Sequence, residues 1–175
     1  SDITPDAGQI RLRAQASSRD DEGLALTDVD PTSWRSAISW VPQSPTLVPG
    51  TILDNMGDLP QRDLDEAARA TGFDAVLATT PDGWNSTIGS GGVGLSVGQR
   101  QRLALTRALA ARSQVVVLDE PTAHLDAVSE ETVVRAIHAM REEGRTVIVI
   151  AHRNAIIEVA DTIIDVAHAD EEALA

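Results

Sequence analysis

The sequence contains no lysine and no cysteine. All 14 basic residues are arginine, so the phosphate-binding motif G-x-x-x-x-G-K-[ST] cannot occur in this chain. The absence of cysteine excludes a disulfide framework, a thiol nucleophile and a cysteine-rich metal site here. Aliphatic runs are only about as long as a strand. They are far short of the roughly 20 apolar residues that a membrane-spanning helix needs.

Charge and composition indicate a globular protein that does not bind nucleic acid. The chain of 175 residues fits one domain or a little more, with 42% hydrophobic and 23% charged residues. Its formal net charge is −13 and it has no basic block, which argues against nucleic acid as a partner. Trp34, Trp40 and Trp84 are isolated along the chain rather than interleaved with basic residues, so we expect them to pack in the core or the helical subdomain rather than to stack on bases.

The second half of the chain alternates between strand-like and helix-like segments. After Arg112 the pattern predicts strands at 114–119, 145–150 and 161–166, separated by helices at about 127–142 and 153–160. Strands separated by helices of this length imply a parallel sheet with right-handed crossovers. Upstream, 37–41 reads as a strand, 42–50 as a proline-rich loop, 51–112 as mainly helical and 81–94 as a loop. The sequence therefore predicts an α/β core interrupted by a helical insert.

The segment from Val115 to Glu120 is the most informative strand. Four aliphatic residues precede Asp119 and Glu120, and Pro121 ends the segment at once. The aliphatic run predicts a strand buried on both faces. Its two acids would then lie at the carboxyl edge of the sheet, where open α/β folds bind ligands. An aspartate there can hold magnesium and a neighbouring glutamate can polarise a water, although a strand running into an acidic turn gives the same pattern.

A second informative segment runs from Gly94 to Gln99 and opens a predicted helix at about Val97 to Ala111. Ser96 lies at the start of that helix, and Gly98 permits close approach of another molecule to the backbone. Free backbone amides at a helix start favour a phosphate group. The alternative is a serine N-cap preceded by a flexible segment.

Together these segments resemble the ATPase domains of ABC transporters. Leu95 to Gln99 resembles the signature motif, Val115 to Glu120 the Walker B strand, Ala123 to Asp126 the D-loop, Val147 to His152 the switch-histidine strand, and Val41 to Gln43 the Q-loop. Gly50-Thr51-Ile52 and Asn55 are placed as in exporter-type members. The five motifs occur in the family's order and cover nearly the whole chain.

The resemblance implies a role for each residue of the ATP site. Asp119 is implied to hold Mg²⁺, and Glu120 to orient or deprotonate the water that attacks the γ-phosphate of ATP. His152 is implied to contact the γ-phosphate. Gln43 is implied to approach the magnesium and the attacking water, while its proline-rich loop couples the site to membrane helices.

Other residues are implied to serve a paired subunit. Ser96, Gly98 and Gln99 would bind a nucleotide held by a second ABC ATPase domain, and Asp126 would lie at the seam between the two domains. Val97 replaces the usual glycine of the signature motif, and because the serine and the second glycine remain we expect little loss.

The resemblance also implies the fold, with one part absent. It implies a P-loop NTPase-like (RecA-like) parallel-sheet core formed by residues 1–43 and 113–175, with an inserted α-helical subdomain at 44–112. The family's phosphate loop is not found in this sequence. We expect it immediately before Ser1, because Thr4 to Ile10 resembles the segment that follows the phosphate loop and its helix.

The function implied is that of the ATP-binding and ATP-hydrolysing subunit of a bacterial ABC exporter at the cytoplasmic face of the plasma membrane, with a transmembrane domain that we expect to be fused upstream. The run from Thr79 to Gly94 and the acidic C-terminus are similar to the heterodimeric exporters of thiol compounds needed for cytochrome bd assembly. Two alternatives stay open: a non-catalytic module that presents Ser96 and Gly98 to a partner's ATP, and a soluble ABC ATPase of DNA repair or translation.

Overall fold

A computed structural model describes residues 8–12, 22–122 and 127–166. The strands are β1 (Arg11–Leu12), β2 (Leu24–Ala25), β3 (Ile38–Val41), β4 (Gly50–Thr51), β5 (Thr87–Ile88), β6 (Val115–Asp119) and β7 (Thr146–Ile150). The helices are α1 (Pro31–Ala37), α2 (Gln61–Thr71), α3 (Phe73–Thr79), α4 (Val97–Ala110), α5 (Ala127–Glu142) and α6 (Asn154–Ile157). Short 3-10 turns occupy Leu26–Asp28, Leu53–Asn55, Gly83–Asn85 and Ser90–Gly92.

Strands β3, β6 and β7 form a parallel sheet in that order. Val41 lies beside Leu118 and Leu118 beside Val149, so the three strands run in register. This arrangement confirms the predicted parallel sheet. Because parallel strands point the same way, the residues that follow all three strands emerge at one edge.

Helices α2, α4 and α5 build the hydrophobic core against one face of the sheet. Val116 and Leu118 of β6 are fully buried there, together with Leu64 of α2, Leu105 of α4 and Met140 of α5. Side chains from strand and helices therefore share one continuous core.

The opposite face of the sheet is exposed, which corrects two expectations. Strand β6 is not buried on both faces, because Val115 and Val117 are only partly covered. Trp40 is 62% exposed, and Ile148 and Ile150 are about half exposed. Trp40 pairs in register with Val117, and Val117 with Ile148, so the exposed residues form a row across the sheet. Among the described residues nothing covers this row, so Trp40 does not pack inside the protein.

Within the helical insert, a small ladder that the sequence did not reveal joins the segment before α2 to the segment after α3. Gly50 pairs with Ile88 and Thr51 with Thr87 in the antiparallel pair β4–β5. A strand of two residues offers too few positions for an alternating pattern to be recognised. The stretch 81–94 is therefore a loop that contains one ladder strand.

The C-terminal expectation of a strand at 161–166 is wrong. Residues 162–166 have no regular structure, and Ile163, Ile164 and Val166 are largely exposed. A strand forms only when its backbone groups find a partner, and β7 pairs with β6 alone within the described part of the chain. The preceding helix is also shorter than expected, because α6 ends at Ile157. The division of the chain at residues 44 and 112 stays a prediction.

None of the described helices is both long and apolar enough to cross a lipid bilayer.

Candidate functional site

The two acids at the end of β6 lie where the strand leaves the sheet. Asp119 is the last strand residue and pairs with Ile150 of β7. Glu120 follows with a φ of 44°, while its backbone N–H donates to the carbonyl oxygen of Ile150 at 2.9 Å. A positive φ is costly for a residue with a side chain and occurs often at functional sites. The backbone thus turns sharply at Glu120, directly after the carboxylate of Asp119.

Gln43 reaches this turn from the neighbouring strand. It follows the end of β3 by two residues, and β3 lies directly beside β6. Its Nε2 donates to Oε2 of Glu120 at 2.8 Å. A hydrogen bond to an ionised acceptor is stronger than one between neutral groups. The bond therefore holds the Glu120 carboxylate at the carboxyl edge of the sheet.

His152 approaches the same carboxylate from the other side. It follows the end of β7 by two residues, and its Nδ1 lies 3.8 Å from Oε1 of Glu120. This separation is too long for a hydrogen bond, and the imidazole is 73% exposed. Three adjacent strands thus each deliver one of the predicted catalytic residues to the same point. Their catalytic roles stay predictions.

The donor set beside Glu120 suits a magnesium ion. Asp119 and Glu120 supply carboxylate oxygens and Gln43 an amide oxygen, the hard donors that Mg²⁺ prefers. Within the described ranges no group of three His, Cys, Asp or Glu residues forms a metal site on its own. Magnesium needs no such cage, since it is commonly held by one or two carboxylates together with substrate phosphates. The residues therefore fit the ion, with Asp119 and Gln43 as its predicted ligands.

The start of α4 is organised by a capping box. The Ser96 hydroxyl accepts from the Gln99 backbone N–H at 3.2 Å, and Gln99 Oε1 accepts from the Ser96 N–H at 2.7 Å. The N-cap alternative is thus confirmed, and it is compatible with a phosphate contact because Ser96 is exposed. The side chain of Gln99, however, is already engaged in its own helix. Val97 is exposed as the first helical residue.

The two predicted groups of site residues make no direct bond with each other: among the described residues no hydrogen bond or ion pair joins Ser96 to Glu120 or to His152. That the two groups serve different nucleotides stays a prediction. Asp126, predicted to lie at a dimer seam, falls outside the described residues.

Asn55 holds the far end of the loop that begins at Gln43. Its buried amide accepts from the Val48 N–H at 2.8 Å and donates to the carbonyl oxygens of Val48 and Thr51, each at 3.0 Å. The resemblance singled out this position, but the sequence alone did not reveal its three hydrogen bonds. The available signal was weak, because Asn55 stands beside another polar residue, Asp54, between the apolar Leu53 and Met56.

Comparison with known proteins places this geometry in a family. The sequence profile of the family described as ABC transporter matches residues 1–123. An ABC-type transporter, atr1, of Mycosarcoma maydis is 36% identical over 170 residues, covering 92% of this chain and 12% of that protein. The ABC multidrug transporter MDR5 of Trichophyton rubrum is 40% identical over 147 residues, covering 81% of this chain and 11% of that protein.

A solved structure gives the same result. The chain superposes on a bacterial Atm1-family ABC exporter with ATP bound, with a TM-score of 0.71 and 32% sequence identity, over 79% of this chain and 25% of that one. The two transporters that resemble this chain in sequence are both from fungi. They therefore do not support the bacterial origin that we expected.

The chain spans only 11–12% of the length of the curated transporters described above. The match includes the strand that leads to Gln43, the capped helix of Ser96 and the strand that ends in Asp119. The P-loop NTPase fold and the order of these elements agree with it. The chain belongs to the ABC transporter family, as part of its ATPase domain.

Proposed function

We propose that this chain is the ATP-binding and ATP-hydrolysing part of an ABC exporter, in which hydrolysis at a head-to-tail dimer interface drives transport across the membrane. The observation that carries the proposal is the convergence of Gln43 and His152 on the Glu120 carboxylate, beside Asp119. A carboxylate held by an amide and flanked by an imidazole is suited to orient a water for in-line attack on phosphorus.

The chemistry follows from how these side chains are held. Phosphoryl transfer depends mainly on positioning and on electrostatic stabilisation. Glu120 accepts a proton from the attacking water or orients it, and Gln43 keeps the carboxylate facing the edge of the sheet. His152 is exposed and free to contact the terminal phosphate. A magnesium ion held by Asp119 and Gln43 would neutralise phosphate charge.

The proposed partners are a second ABC ATPase domain and a transmembrane domain. The exposed Ser96 and the backbone amide of Gly98 would face the γ-phosphate of ATP on the second domain, and Asp126 the seam. The loop from Gln43 to Gly50 would face the transmembrane domain, since Val48 in it is exposed. Under this proposal the chain lies at the cytoplasmic face of the plasma membrane.

The second candidate function is a non-catalytic module that presents Ser96 to a partner's ATP. The complete capping box favours it, because the box holds Ser96 in place whether or not Glu120 takes part in hydrolysis. The two candidates are separated by comparing Glu120→Gln and Ser96→Arg in the full-length protein that contains this chain. If the chain hydrolyses ATP, Glu120→Gln slows turnover by about 10²–10⁴-fold and Ser96→Arg also lowers it.

If the chain only serves a partner's ATP, Ser96→Arg alone lowers turnover and Glu120→Gln leaves it unchanged. Glu131→Gln is the matched control, because it removes an exposed carboxylate on α5 whose one ion pair within the described residues is with Arg135 at 3.9 Å. We expect it to leave the rate of ATP hydrolysis at the wild-type value.

A further inference from the structure

Arg100 lies one turn into α4 and reaches back to the residue before Ser96. Its Nη1 donates to the carbonyl oxygen of Leu95 at 2.8 Å. That carbonyl belongs to the planar peptide group between Leu95 and Ser96. By binding it, the guanidinium fixes the orientation of this peptide group and therefore of the Ser96 backbone. The bond is charge-assisted and partly buried, which strengthens it. None of the sequence motifs assigns this task to Arg100.

The aliphatic part of Arg100 is confined by its neighbours. A Cβ atom placed on Gly92 would lie 2.6 Å from Cδ of Arg100 and 2.9 Å from Cδ1 of Leu47. Both distances are shorter than non-bonded carbon contacts allow. Gly92 is buried with a φ of 79°, and Leu47 is buried as well. The arginine stem and the leucine thus occupy the space that a side chain at 92 would need.

Leu47 connects this cluster to the catalytic carboxylate. It is the buried residue of the loop that begins at Gln43, and Gln43 donates to Glu120. Glu120 is hydrogen-bonded to Gln43, the chain of the loop leads from Gln43 to Leu47, and Leu47 and Arg100 both lie against Gly92. Arg100 in turn donates to the Leu95 carbonyl. Each end of this series of connections holds one of the two groups of predicted site residues.

We propose that Arg100 is a positioning residue for Ser96. Gly92 and Leu47 confine the Arg100 side chain, so that the start of α4 keeps a fixed orientation relative to the loop that begins at Gln43. The inference rests on the proposed function, because it concerns the presentation of Ser96 to a partner's nucleotide. A site residue contributes most when neighbouring packing and hydrogen bonds hold it in the productive geometry.

The test compares two substitutions of Arg100 in the full-length protein. Arg100→Met keeps the aliphatic stem and removes the donor, whereas Arg100→Lys keeps both a stem and a charged donor. We expect Arg100→Met to lower kcat for ATP hydrolysis about tenfold, the order lost with one hydrogen bond to a charged group. Arg100→Lys should recover most of that loss, while ATP binding measured in a Glu120→Gln background stays unchanged by either substitution.

A glycine pair tests the packing half of the inference. Gly92→Ala introduces the clash with Arg100, whereas Gly91→Ala adds the same methyl group at a similar φ of 65° with no atom within 4 Å. Both positions have a positive φ, so both changes carry a backbone penalty. We expect Gly92→Ala to reduce kcat several-fold beyond Gly91→Ala, because only the methyl group at 92 meets Arg100 and Leu47.

The outcomes separate this inference from the proposed function. If the wild-type protein hydrolyses ATP and both Glu120→Gln and Ser96→Arg slow it, the proposed function stands. Equal kcat values for wild type, Arg100→Met and Arg100→Lys, or equal losses for both variants, then overturn the role of Arg100. Equal effects of the two glycine variants overturn the packing role. If wild-type protein shows no hydrolysis, or Glu120→Gln has no effect on it, the proposed function itself is wrong.

Discussion

Gln43 and Glu120 are joined by a hydrogen bond of 2.8 Å from Nε2 to Oε2, although 77 positions separate them in the sequence. The bond exists because β3 and β6 are adjacent and parallel, so the residues that follow them emerge side by side. It links the loop that leads into the helical insert to the acid at the end of the central strand.

Removing the Gln43 amide should slow catalysis without affecting folding. We expect Gln43→Ala in the full-length protein to lower kcat for ATP hydrolysis about tenfold, because the charged carboxylate of Glu120 then loses the hydrogen bond that Gln43 donates to it. The matched control is Gln61→Ala, which removes an amide that donates to the Asp65 carboxylate over the same 2.8 Å at an exposed position of α2. An equal effect of the two substitutions on kcat would contradict a role for the bond at the site.

Asn55 should be important for stability. Alanine at this position leaves the N–H of Val48 and the carbonyl oxygens of Val48 and Thr51 without their side-chain partner. We expect the free energy of unfolding to fall by about 2–4 kcal/mol, the order found for buried polar groups left unpaired. The measurement is chemical denaturation of the protein, with Asn85→Ala at an exposed position as the control. A loss no larger than that of the control would show that the amide bonds contribute little.

Arg145 should contribute more to stability than a surface arginine with more ion pairs. It is 5% exposed and donates to the carbonyl oxygens of Ala108 and Leu109 at 3.2 and 2.8 Å, which closes the C-terminal end of α4. We expect Arg145→Met to cost about 1–3 kcal/mol.

Arg112→Met is the control for Arg145→Met, because Arg112 is 55% exposed and pairs with both Asp63 and Glu66. Surface ion pairs contribute about 0–1 kcal/mol. Thermal unfolding of both variants distinguishes the two cases, and a larger loss for Arg112→Met would contradict the ranking.

Asp54 should make the stability of the 50–55 turn depend on pH in the acid range. The backbone N–H of Thr51, 2.7 Å from Oδ2, and the Thr51 side chain hold the pKa of Asp54 below its ordinary value of 3.8. A carboxyl group with a lowered folded-state pKa stabilises the protein fully above the unfolded value, and this contribution is lost as the pH falls through the folded-state pKa.

We therefore expect the melting temperature of Asp54→Ala to lie below that of wild type by a constant amount from neutral pH to about pH 5. The difference should shrink once the pH falls below 3.8. Asp58→Ala is the control, since Asp58 is exposed and shows no hydrogen bond within the described residues. A difference that grows on acidification would reverse the sign and refute the assignment.

Several elements were predictable because their signals are local. The capping box of α4 needs only Ser96 and Gln99, three residues apart, and the end of α2 needs only Gly72, whose φ is 66°. The aliphatic run of β6 likewise specifies a strand by itself. The exposure of Trp40 and the absence of a strand at 161–166 were not predictable, because both depend on which elements cover or pair with those residues.

By itself the sequence determined the order of motifs, the alternation of strands and helices, the acids at the end of β6 and the family. Local propensity and residue spacing are enough for these features. Only the tertiary structure decided that Gln43 and His152 meet at Glu120, and that Leu47, Gly92 and Arg100 pack together behind Ser96. Those contacts join residues far apart in the chain, and strand order and helix packing bring them together.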